Sequence, residues 1–579
     1  MKHTFSDELT RTAENQVDPG KFAGGFEQKM AHFPEVRLGS RWFTTRQILL
    51  TVLPLGLVGA ACAVGGARFL RTLPAVQQFI ATYPGTGSFA VPVYDGFPAW
   101  LRICHWLNFF LLLFMIRSGI QILADHPRLY LNPDCTPGSE WFRLLGPVPL
   151  DREYHAKEDT VALPGWLGLP GIRHSIGLAR WWHFVFDTLW LANGLLVYVL
   201  LFTTGQWRRI VPVSLDVIPH TLSTALQYLS LDFPPPSGWL QYNGLQLLAY
   251  FTTVFIASPL ALLTGIMQSP AVAAQLHLAT GFLNRQVARS LHFLVLGYFI
   301  LFIVGHVGMV FITDPLNNLH HMTLGDDGHS WAGFLVFSFI MGCTAVAWMV
   351  ATPLTLKYPR KIQHIGRAAI GWLLDGLERL RPVANYQEKD LSPYFWINGT
   401  PPASAEYQKH LQEGFRNYSL QVGGLVEKPL KLSYQQLRSM PKQEQITSHY
   451  CIQGWTGIAK WGGVRLKDIM KLVQPSPRAR YVAFYSFAHG AGQGRGLYYD
   501  VHKMEHMQHD QTILAYEMNG QDLPPSHGAP LRLRNELELG FKSVKWVQGV
   551  EFIESYAHLG QGEGGFNEDY EFYSTRNPI

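Results

Sequence analysis

Six long apolar segments constrain the fold of this chain more than any other feature of its sequence. Each holds about 20 residues with few charges, which is the length an α-helix needs to cross the hydrocarbon core of a bilayer. They lie near Gln47–Ala67, Trp100–Leu123, Trp181–Thr203, Gly244–Met267, Ala288–Ile312 and Trp331–Ala351. The first contains Pro54 and several glycines, so it is also compatible with an uncleaved signal anchor. The sequence therefore predicts a multi-pass protein of the inner (plasma) membrane.

A basic segment and then a β-rich segment follow the last span. Lys357 to Arg381 has the pattern of a basic, amphipathic helix on a membrane surface, with an apolar side formed by Ile362, Ile365, Ala369, Trp372, Leu373 and Leu377. From about Asn385, short β-like runs separated by Gly and Pro predict a soluble domain large enough for its own core. The runs are Tyr418–Val422, Tyr481–Tyr485, Leu531–Leu533 and Val550–Ile553.

The expected fold class is an α-helical membrane bundle of about six spans followed by a mixed, mostly β domain. The expected division is a tail over 1–46, a membrane domain over 47–353, a linker helix over 354–384 and the soluble domain over 385–579. The five cysteines form no C-x-x-C or C-x-x-C-H motif, which argues against zinc ribbons, iron–sulfur clusters and covalently attached haem. The net charge of +5 gives no support to a nucleic-acid partner, and membrane lipid is the expected surrounding.

Four histidines lie in the apolar segments: His105 opens the second, His183 opens the third, and His292 and His306 lie in the fifth. A ligand-capable side chain inside a span is a functional hypothesis, because leaving it unpaired in hydrocarbon is costly. A hydrogen bond between helices is the structural alternative for any one of them. Four such histidines at matching depths favour ligation of haem iron.

The spacing of the two histidines in the fifth segment is informative. Fourteen helical residues bring His306 back to within roughly 40° of the face of His292 and separate the two by roughly 21 Å. One helix can therefore serve two haems stacked across the bilayer. Since His183 begins its span on the side of His292, and His105 begins on the side of His306, the expected pairs are His183–His292 and His105–His306. Ligation by two imidazoles suits an electron-transfer haem.

Several segments of the membrane domain resemble the cytochrome b subunits of formate dehydrogenases and nickel-iron hydrogenases, over roughly residues 98–350. They are Arg102-Ile-Cys-His-Trp106, Tyr242-Asn-Gly-Leu-Gln246 with Tyr250, Pro259-Leu-Ala-Leu-Leu-Thr-Gly265, Arg289-Ser-Leu-His292 and Gly305-His306-Val307. The resemblance implies two b haems, with one ligand from each of two helices and two from a third. This chain departs from that family by a leading span and a long loop, Asp125–Arg180, so the quinone pocket is not carried over.

The soluble domain resembles the sulfite oxidase superfamily of molybdopterin enzymes, especially its bacterial methionine-sulfoxide-reductase branch, over about residues 390–560. The blocks are His449-Tyr-Cys-Ile-Gln-Gly-Trp455, Trp461-Gly-Gly463, Leu514-Ala-Tyr-Glu-Met-Asn-Gly520, His527-Gly-Ala-Pro-Leu-Arg532 and Gly540-Phe-Lys-Ser-Val-Lys-Trp546. Taken alone, Cys451 has the features of a core cysteine as much as of a ligand. The resemblance implies that Cys451 is the thiolate ligand of molybdenum and the catalytic residue.

The same resemblance implies a set of residues that bind the pterin and its phosphate. Arginine offers a two-pronged donor for phosphate, and glycine-containing turns present backbone N–H groups. The implied cofactor-binding residues are Asn398, Ser486, His527, Arg532, Gly540, Phe541, Lys542 and Ser543. The structural alternative is that Arg532 and Lys542 are ordinary surface charges, and that His449, Tyr450, Trp455 and Trp461 pack the core rather than line the mouth of the site.

The residues after Cys451 bear on the substrate. Sulfite oxidases of animals and plants follow the ligand cysteine with an arginine-rich stretch, whereas here Ile452-Gln-Gly-Trp-Thr-Gly-Ile-Ala-Lys460 follows. A neutral oxo-acceptor such as a sulfoxide is therefore expected rather than sulfite. Charge from Lys460, Arg465 or Arg495, folded back toward the site, would still permit a sulfur oxyanion.

Lys and Arg are distributed unequally between the loops on the two sides. One side holds the N-terminal tail, the loops over 125–180 and 268–287, and the C-terminal domain; it carries Arg37, Arg41, Arg46, Arg128, Arg143, Arg152, Lys157, Arg173, Arg180, Arg285, Lys357, Arg360, Lys361 and Arg367. The other side carries Arg68, Arg71, Arg208 and Arg209. The positive-inside rule places both termini and the molybdopterin domain in the cytoplasm, although the sulfoxide-reductase relatives are periplasmic.

The expected function is oxygen-atom transfer on a small substrate at a molybdopterin cofactor, coupled through two b haems to or from the quinone pool. The sequence leaves the direction of electron flow, the quinone site and the oligomeric state open. One alternative is a sulfur-oxyanion dehydrogenase that donates electrons to quinone. Another is a transmembrane electron conduit whose pterin domain is not catalytic. A structural or transport protein stays open if no haem is bound.

Overall fold

The computed structural model describes residues 29–30, 34–87, 96–171, 176–233, 241–280, 282–377, 386–490 and 496–575. Six helices within these residues are long and apolar enough to cross a membrane. They are α1 (Thr45–Leu70), α2 (Ala99–Ala124), α3 (Ile176–Thr203), α4 (Gly244–Ile266), α5 (Arg285–Thr313) and α6 (Ala332–Lys357). They confirm the six predicted segments, with ends that differ by a few residues. Arg173, Arg381 and Arg495 lie outside the described residues.

Local capping explains where two of the spans begin. Asn243 precedes α4 and forms a capping box with Gln246. Asn284 precedes α5, where its side chain accepts hydrogen bonds from the backbone N–H groups of Gln286 and Val287. Such caps satisfy N–H groups that have no partner within the helix. Shorter helices join the spans: Pro74–Thr82, Val217–Leu229, Pro270–Thr280 and Pro315–Thr323, with single turns at Ala156–Asp159 and Gln206–Arg209.

Helices α2 and α3 pack closely along their length. Phe114 of α2 meets Phe186 of α3 with ring centroids 5.0 Å apart, and the amide of Asn193 donates to the carbonyl of Cys104 over 3.2 Å. Helix α1 lies at the edge of the bundle, where Arg68 donates to the carbonyl of Ser230 over 3.1 Å. The leading segment is thus a helix attached to the bundle at one end, and its remaining apolar surface is exposed.

The predicted linker helix is α7 (Pro359–Leu377), and its apolar residues divide between two environments. Ile362, Ile370 and Leu374 are buried against Leu178, Trp181 and Phe572. Ile365 and Trp372, in contrast, are 55% and 66% exposed. Part of the face that the sequence assigned to the membrane surface is therefore buried against α3 and the C-terminal segment, because Gly366 lets the ring of Trp181 approach the helix closely.

The soluble domain contains two five-stranded sheets. Its strands are β1 (Ser419–Gly424), β2 (Leu430–Ser433), β3 (Lys442–Tyr450), β4 (Thr456–Arg465), β5 (Tyr481–His489), β6 (Leu497–Lys503), β7 (Ile513–Met518), β8 (Gln521–Asp522), β9 (Arg532–Arg534) and β10 (Val547–Ile553). One sheet has the order β8-β7-β4-β3, with β9 also paired to β7; the other has the order β6-β5-β10-β1-β2. The predicted β runs fall on strands except for Tyr418 and Leu531, which lie one residue before β1 and β9, and the mostly β character of the domain is confirmed.

Helices and a buried apolar core complete the soluble domain. The helices are Ala405–Gln412, Tyr434–Ser439, Leu466–Val473, Met504–Met507 and Phe566–Tyr570, with single turns at Glu388–Asp390, Pro525–His527 and Gly540–Lys542. Trp461, Phe484 and Leu514 are fully buried between the elements. Burial of this apolar surface is the main stabilising contribution to such a core.

The long loop after α2 connects α2 to α3 and packs against the soluble domain. Its short strands Arg128–Leu129 and Phe142–Arg143 form a sheet with Glu35–Leu38 and Arg41–Thr44. Arg128 holds this loop together through buried ion pairs with Asp159 at 2.8 Å and Glu140 at 3.0 Å. Tyr130, Cys135 and Tyr154 of the loop share a buried cluster with Trp396, Tyr450 and Cys451 of the soluble domain. The loop therefore forms part of the surroundings of Cys451.

Candidate functional site

His183 and His292 face each other between α3 and α5, with ring centroids 6.4 Å apart. The Nδ1 atom of His183 lies 3.0 Å from the hydroxyl of Ser118, and Nδ1 of His292 lies 3.0 Å from the hydroxyl of Thr264. Both hydroxyls donate their own proton to helix carbonyls, so each accepts from the imidazole. Nδ1 then carries the proton, and Nε2 keeps a lone pair for a metal.

His105 and His306 form the second pair, between α2 and α5, with ring centroids 6.2 Å apart. The hydroxyl of Tyr250 lies 3.4 Å from Nδ1 of His306, and the ring of Phe302 stacks on the His306 imidazole with centroids 5.5 Å apart. The structure thus brings the four predicted histidines together in the two predicted pairs. Helix α5 supplies one member of each.

The centroid distances fit one iron ion between the rings of each pair. A metal–nitrogen bond to imidazole measures about 2.0–2.1 Å, and the ring centroid lies a further ~1.1 Å from that nitrogen, so two rings on opposite sides of one ion have centroids about 6.3 Å apart. Both observed separations, 6.2 and 6.4 Å, match this value. The residues present therefore fit haem iron ligated by two imidazoles.

Cys451 lies in the turn between β3 and β4. Its N–H donates to the carbonyl of Trp455 over 3.0 Å, and the N–H of Gly454 donates back to its carbonyl over 3.1 Å. The amide nitrogen of Asn398 is 3.9 Å from the sulfur, and the amide oxygen of Gln453 is 3.7 Å from it. The side chain is only 2% exposed, and burial raises the pKa of the thiol to about 12. A metal ion that takes this sulfur must displace its proton.

Buried cationic groups surround this turn. Arg532 is 3% exposed, and burial, reinforced by Arg534, lowers its pKa to about 9. Burial and the charge of Arg532 hold the pKa of Lys545 well below its usual value. Burial and the same cations also hold the pKa values of His449 and His527 well below the usual range. The two imidazoles are thereby kept neutral, and a bound anion would offset the cost of burying the charges of Arg532 and Lys545.

Three buried polar atoms near Cys451 have no hydrogen-bond partner among the described residues. They are Oδ1 of Asn398, Nδ1 of His527 and Nε of Arg532. Buried polar groups in proteins are nearly always hydrogen-bonded, so a group of unpaired atoms indicates a site for something polar. Together with the excess of positive charge, these atoms fit an anionic, polar cofactor such as a pterin with a phosphate.

Four other predicted cofactor-binding residues, Ser486, Gly540, Phe541 and Ser543, contact neighbouring parts of the soluble domain. Gly540 lies against the imidazole of His449 so closely that a Cβ at this position would come within 2.1 Å of the ring. The hydroxyl of Ser486 donates to the carbonyl of Lys545 over 2.7 Å. Phe541 packs edge-on against Tyr573, and the N–H of Ser543 donates to the carbonyl of Gly540 over 3.1 Å. These contacts fix the positions of the four residues, and their roles in cofactor binding stay predictions.

The side chain of Lys542, one of the predicted cofactor-binding residues, is engaged in a buried ion-pair network. Its ammonium group donates to Asp500, to Glu568 at 2.8 Å and to the carbonyl of Val501 at 3.1 Å. An ammonium group has three N–H bonds, so no donor is left for a cofactor. Desolvation is offset by the two carboxylates, and this fully buried ion pair joins β6 to the C-terminal helix.

Comparisons with known proteins agree with both halves of this description. The family model "Oxidoreductase molybdopterin binding domain" matches residues 408–558, and "Prokaryotic cytochrome b561" matches residues 96–325. The protein-methionine-sulfoxide reductase catalytic subunit MsrP of Xanthomonas axonopodis pv. citri is 30% identical over 247 residues, which are 41% of this chain and 72% of that protein. The chain belongs to the protein-methionine-sulfoxide reductase family. It is a membrane-bound molybdopterin oxidoreductase with a haem b domain.

Two other relatives share shorter regions. MsrP of Gluconobacter oxydans is 32% identical over 171 residues, 28% of this chain and 54% of that protein. YedZ1 of Azospira oryzae, provisionally named a subunit of the same reductase, is 31% identical over 201 residues, 34% of this chain and 68% of that protein. The crystal structure of the sulfane dehydrogenase SoxCD from Paracoccus pantotrophus covers 24% of this chain and 39% of its own at 23% identity, with a TM-score of 0.22, which is too low for any structural argument.

Two residues near Cys451, Lys545 and Gln453, were not predicted as site residues from the sequence. Lys545 donates to the carbonyls of Asn398 at 2.5 Å and Ser526 at 2.7 Å, and the charge of an ionised Cys451 would raise the pKa of Lys545. Gln453 is the neutral amide nearest the sulfur. Lys545 stands in the same quoted block as Lys542, so the signal was present, but a block of sequence does not show which of two lysines turns inward.

The turn that holds Cys451 rests on the first turns of α5. Arg285 donates to the carbonyl of Cys451 over 2.8 Å, and Gln286 donates to the carbonyl of Gly454 over 2.9 Å. On the same side, Gln453 donates to the carbonyl of Asp125 at the end of α2 over 3.2 Å. In this family member the helix that carries His292 and His306 therefore also supports the candidate molybdenum site.

Proposed function

We propose that this reductase transfers an oxygen atom from a small sulfoxide and draws the electrons from quinol through two b haems. The observation that carries the proposal is the arrangement on α5: two histidine pairs follow one another along the helix, and the Cys451 turn rests on the start of the same helix. This order would let electrons pass along α5 from the His105–His306 end of the bundle to the Cys451 site, where the two-electron chemistry would occur.

Cys451 would hold molybdenum, and Asn398, His527, Arg532 and Lys545 would hold the pterin and its phosphate. The bound cofactor supplies oxygen-atom transfer with two electrons. The protein's own contribution is to bury the sulfur, to present the amides of Asn398 and Gln453 beside it, and to keep Arg532 charged next to the pocket. Reduction of a sulfoxide to a sulfide consumes two electrons and two protons and releases water, and oxidation of one quinol supplies both.

The number of haems in this proposal is two, one for each histidine pair. The His183–His292 pair lies on the side of Cys451, because α3 and α5 both begin on that side. The His105–His306 pair lies toward the other end of α5 and would exchange electrons with the quinone pool. The bound haems supply one-electron steps.

A neutral substrate is favoured by the charges near the Cys451 turn. Lys460 pairs with Glu388 at 3.1 Å and Glu444 at 3.4 Å. Arg465 pairs with Asp468 at 2.7 Å. Two of the three cations that would bind a sulfur oxyanion are therefore engaged elsewhere, and Gln453 next to the sulfur is uncharged. The names of the relatives, which refer to methionine sulfoxide, agree with a sulfoxide substrate.

One assay in both directions tests this function and its alternative. Purified full-length protein is reduced with a short-chain ubiquinol, and free methionine sulfoxide is added while the haem spectrum is followed. Reoxidation of both haems is the expected result. Oxidised protein mixed with sulfite should show no haem reduction; reduction by sulfite would establish the oxyanion dehydrogenase instead. Haems that respond to quinol but to neither sulfur compound would support an electron conduit with a non-catalytic pterin domain.

We propose further that both termini and the molybdopterin domain lie in the cytoplasm. The loops rich in Lys and Arg over 125–171 and 268–287 contact the Cys451 domain through Cys135 and Arg285, so they share its side of the membrane. The positive-inside rule assigns that side to the cytoplasm.

A reporter fused to the C-terminus tests this orientation. We expect a C-terminal fusion to green fluorescent protein to fluoresce, because this reporter folds in the cytoplasm. We expect a C-terminal fusion to alkaline phosphatase, which is active only in the periplasm, to be inactive. Fusions placed after Arg209, in a loop on the other side, serve as the matched control and should give the reverse. An active C-terminal phosphatase would place the molybdopterin domain in the periplasm.

A further inference from the structure

Three of the four paired histidines follow an arginine by three residues: Arg102-Ile-Cys-His105, Arg180-Trp-Trp-His183 and Arg289-Ser-Leu-His292. Three residues along an α-helix amount to about 300° and about 4.5 Å. Each arginine therefore lies near the face of its histidine, about one turn closer to the end of the span. None of these arginines takes part in the iron ligation itself.

Arg289 lies about one helical turn before His292, whose ring faces His183 between α3 and α5. Arg289 is 7% exposed and donates to the carbonyls of Arg128 at 2.7 Å and His126 at 2.6 Å. On its outer side the guanidinium lies against Gly454 of the Cys451 turn. A guanidinium has five N–H donors, so the two bonds to carbonyls leave others for a further acceptor.

Arg102 stands in the corresponding position beside His105, at the other end of the bundle. It donates to the carbonyls of Phe97 at 3.2 Å and Thr323 at 2.6 Å. In the part of the chain that the structure describes, neither Arg102 nor Arg289 has a carboxylate within ion-pair distance. Backbone carbonyls satisfy hydrogen bonds without neutralising the charge, and an unneutralised cation in a span is costly.

We infer that Arg289 and Arg102 bind the propionate carboxylates of the two haems, one arginine for each haem. The inference rests on the proposed two-haem function. A haem b carries two propionates, and ionised carboxylates are as costly in hydrocarbon as the arginines are. The planar fork of arginine matches a carboxylate through two parallel hydrogen bonds. Each arginine lies about one helical turn from its histidine, toward the membrane face. Its positive charge would therefore lie where a haem propionate reaches that face.

The alternative is that these arginines only clamp loops to the ends of the helices through backbone carbonyls. The two roles differ in what they require of the side chain. A clamp requires hydrogen-bond donors, which glutamine also has. A propionate partner requires positive charge, which glutamine lacks and lysine keeps. Positive charge beside a haem stabilises its reduced form, so loss of that charge lowers the reduction potential of that haem alone.

Redox titration of the purified full chain, followed in the haem spectrum, tests the inference. We expect Arg289→Gln to lower the midpoint potential of one haem and leave the other unchanged. Arg102→Gln should lower the potential of the other haem. Arg289→Lys and Arg102→Lys should keep most of the wild-type values. Arg68→Gln is the matched control, since Arg68 also donates to a carbonyl at a helix end, that of Ser230, and should shift neither potential.

The result that would overturn the inference is unchanged potentials in both glutamine variants, or equal shifts in the glutamine and lysine variants. If Arg289→Gln loses its haem, the lysine variant decides: a retained haem at the wild-type potential supports the inference, and loss of the haem there too refutes it. The titration needs neither molybdenum nor a sulfoxide. Wild-type protein with a single haem would instead refute the proposed two-haem function, which is a separate outcome.

Discussion

Cys451→Ser is expected to slow the reoxidation of quinol-reduced haems by methionine sulfoxide at least about a hundredfold, since even changes in the groups around metal ligands cost 10–100-fold. Serine can offer oxygen to molybdenum, but oxygen is a harder donor than sulfur and changes the electron density at the metal. No other cysteine lies in the soluble domain to replace it, because the remaining four precede residue 344. Stopped-flow recording of the haem spectrum measures the effect.

Cys135→Ser is the matched control for this substitution. Cys135 is buried in the same cluster, where its sulfur accepts from the N–H of Thr456 at 3.3 Å, and serine keeps an acceptor at that place. We expect this variant to retain wild-type reoxidation, and both variants to be reduced by quinol at the wild-type rate. Wild-type turnover in Cys451→Ser would show that Cys451 is not the ligand and would remove the basis of the catalytic proposal.

His306→Ala is expected to remove about half of the bound haem and to abolish quinol-driven turnover. The variant deletes one ligand of the His105–His306 pair, whose centroid distance of 6.2 Å fits an iron between the rings. His183 and His292 keep their own hydrogen bonds to Ser118 and Thr264, so their haem should stay. Pyridine haemochrome analysis measures the haem content, and reduction of the remaining haem by dithionite shows that it is intact.

A second histidine of the membrane domain provides the control for haem loss. His220, in the helix Val217–Leu229, accepts a hydrogen bond from the N–H of Gly85 over 3.1 Å and belongs to neither pair. His220→Ala should therefore keep its full haem content, although loss of the buried hydrogen bond should lower its stability by about 1–3 kcal/mol. Full haem content in His306→Ala would contradict the assignment of this histidine as a ligand.

Much of the membrane domain could be predicted from the sequence, because hydrocarbon imposes a simple rule. A span must be apolar over about 20 residues, and a histidine placed inside it needs a partner. The depth of His183 and His292 in their segments was sufficient to pair them, and the structure brings their rings together. The first segment was harder to interpret, since apolar length alone does not show that α1 is held to the bundle at only one end.

For the soluble domain, the sequence predicted some features and the tertiary structure was needed for others. The sequence predicts its β character, the position of Cys451 and a basic pocket, since these depend on local pattern and on family resemblance. It does not predict which of Lys542 and Lys545 contacts Asn398. That choice depends on Asp500 and Glu568, which come from distant parts of the chain and take all three donors of Lys542. The cofactor-binding roles of the remaining residues and the domain boundaries stay predictions.

The sequence alone predicted the six spans from their apolar length, and it predicted the two histidine pairs from the depth of each histidine in its span; Cys451 was indicated by the resemblance to the sulfite oxidase superfamily, not by composition or spacing. Only the tertiary structure decided that the Cys451 turn rests on Arg285 and Gln286 of α5 and that the loop over 125–171 helps to bury it. Such contacts join residues more than 150 positions apart, and they depend on how whole elements pack rather than on any local pattern.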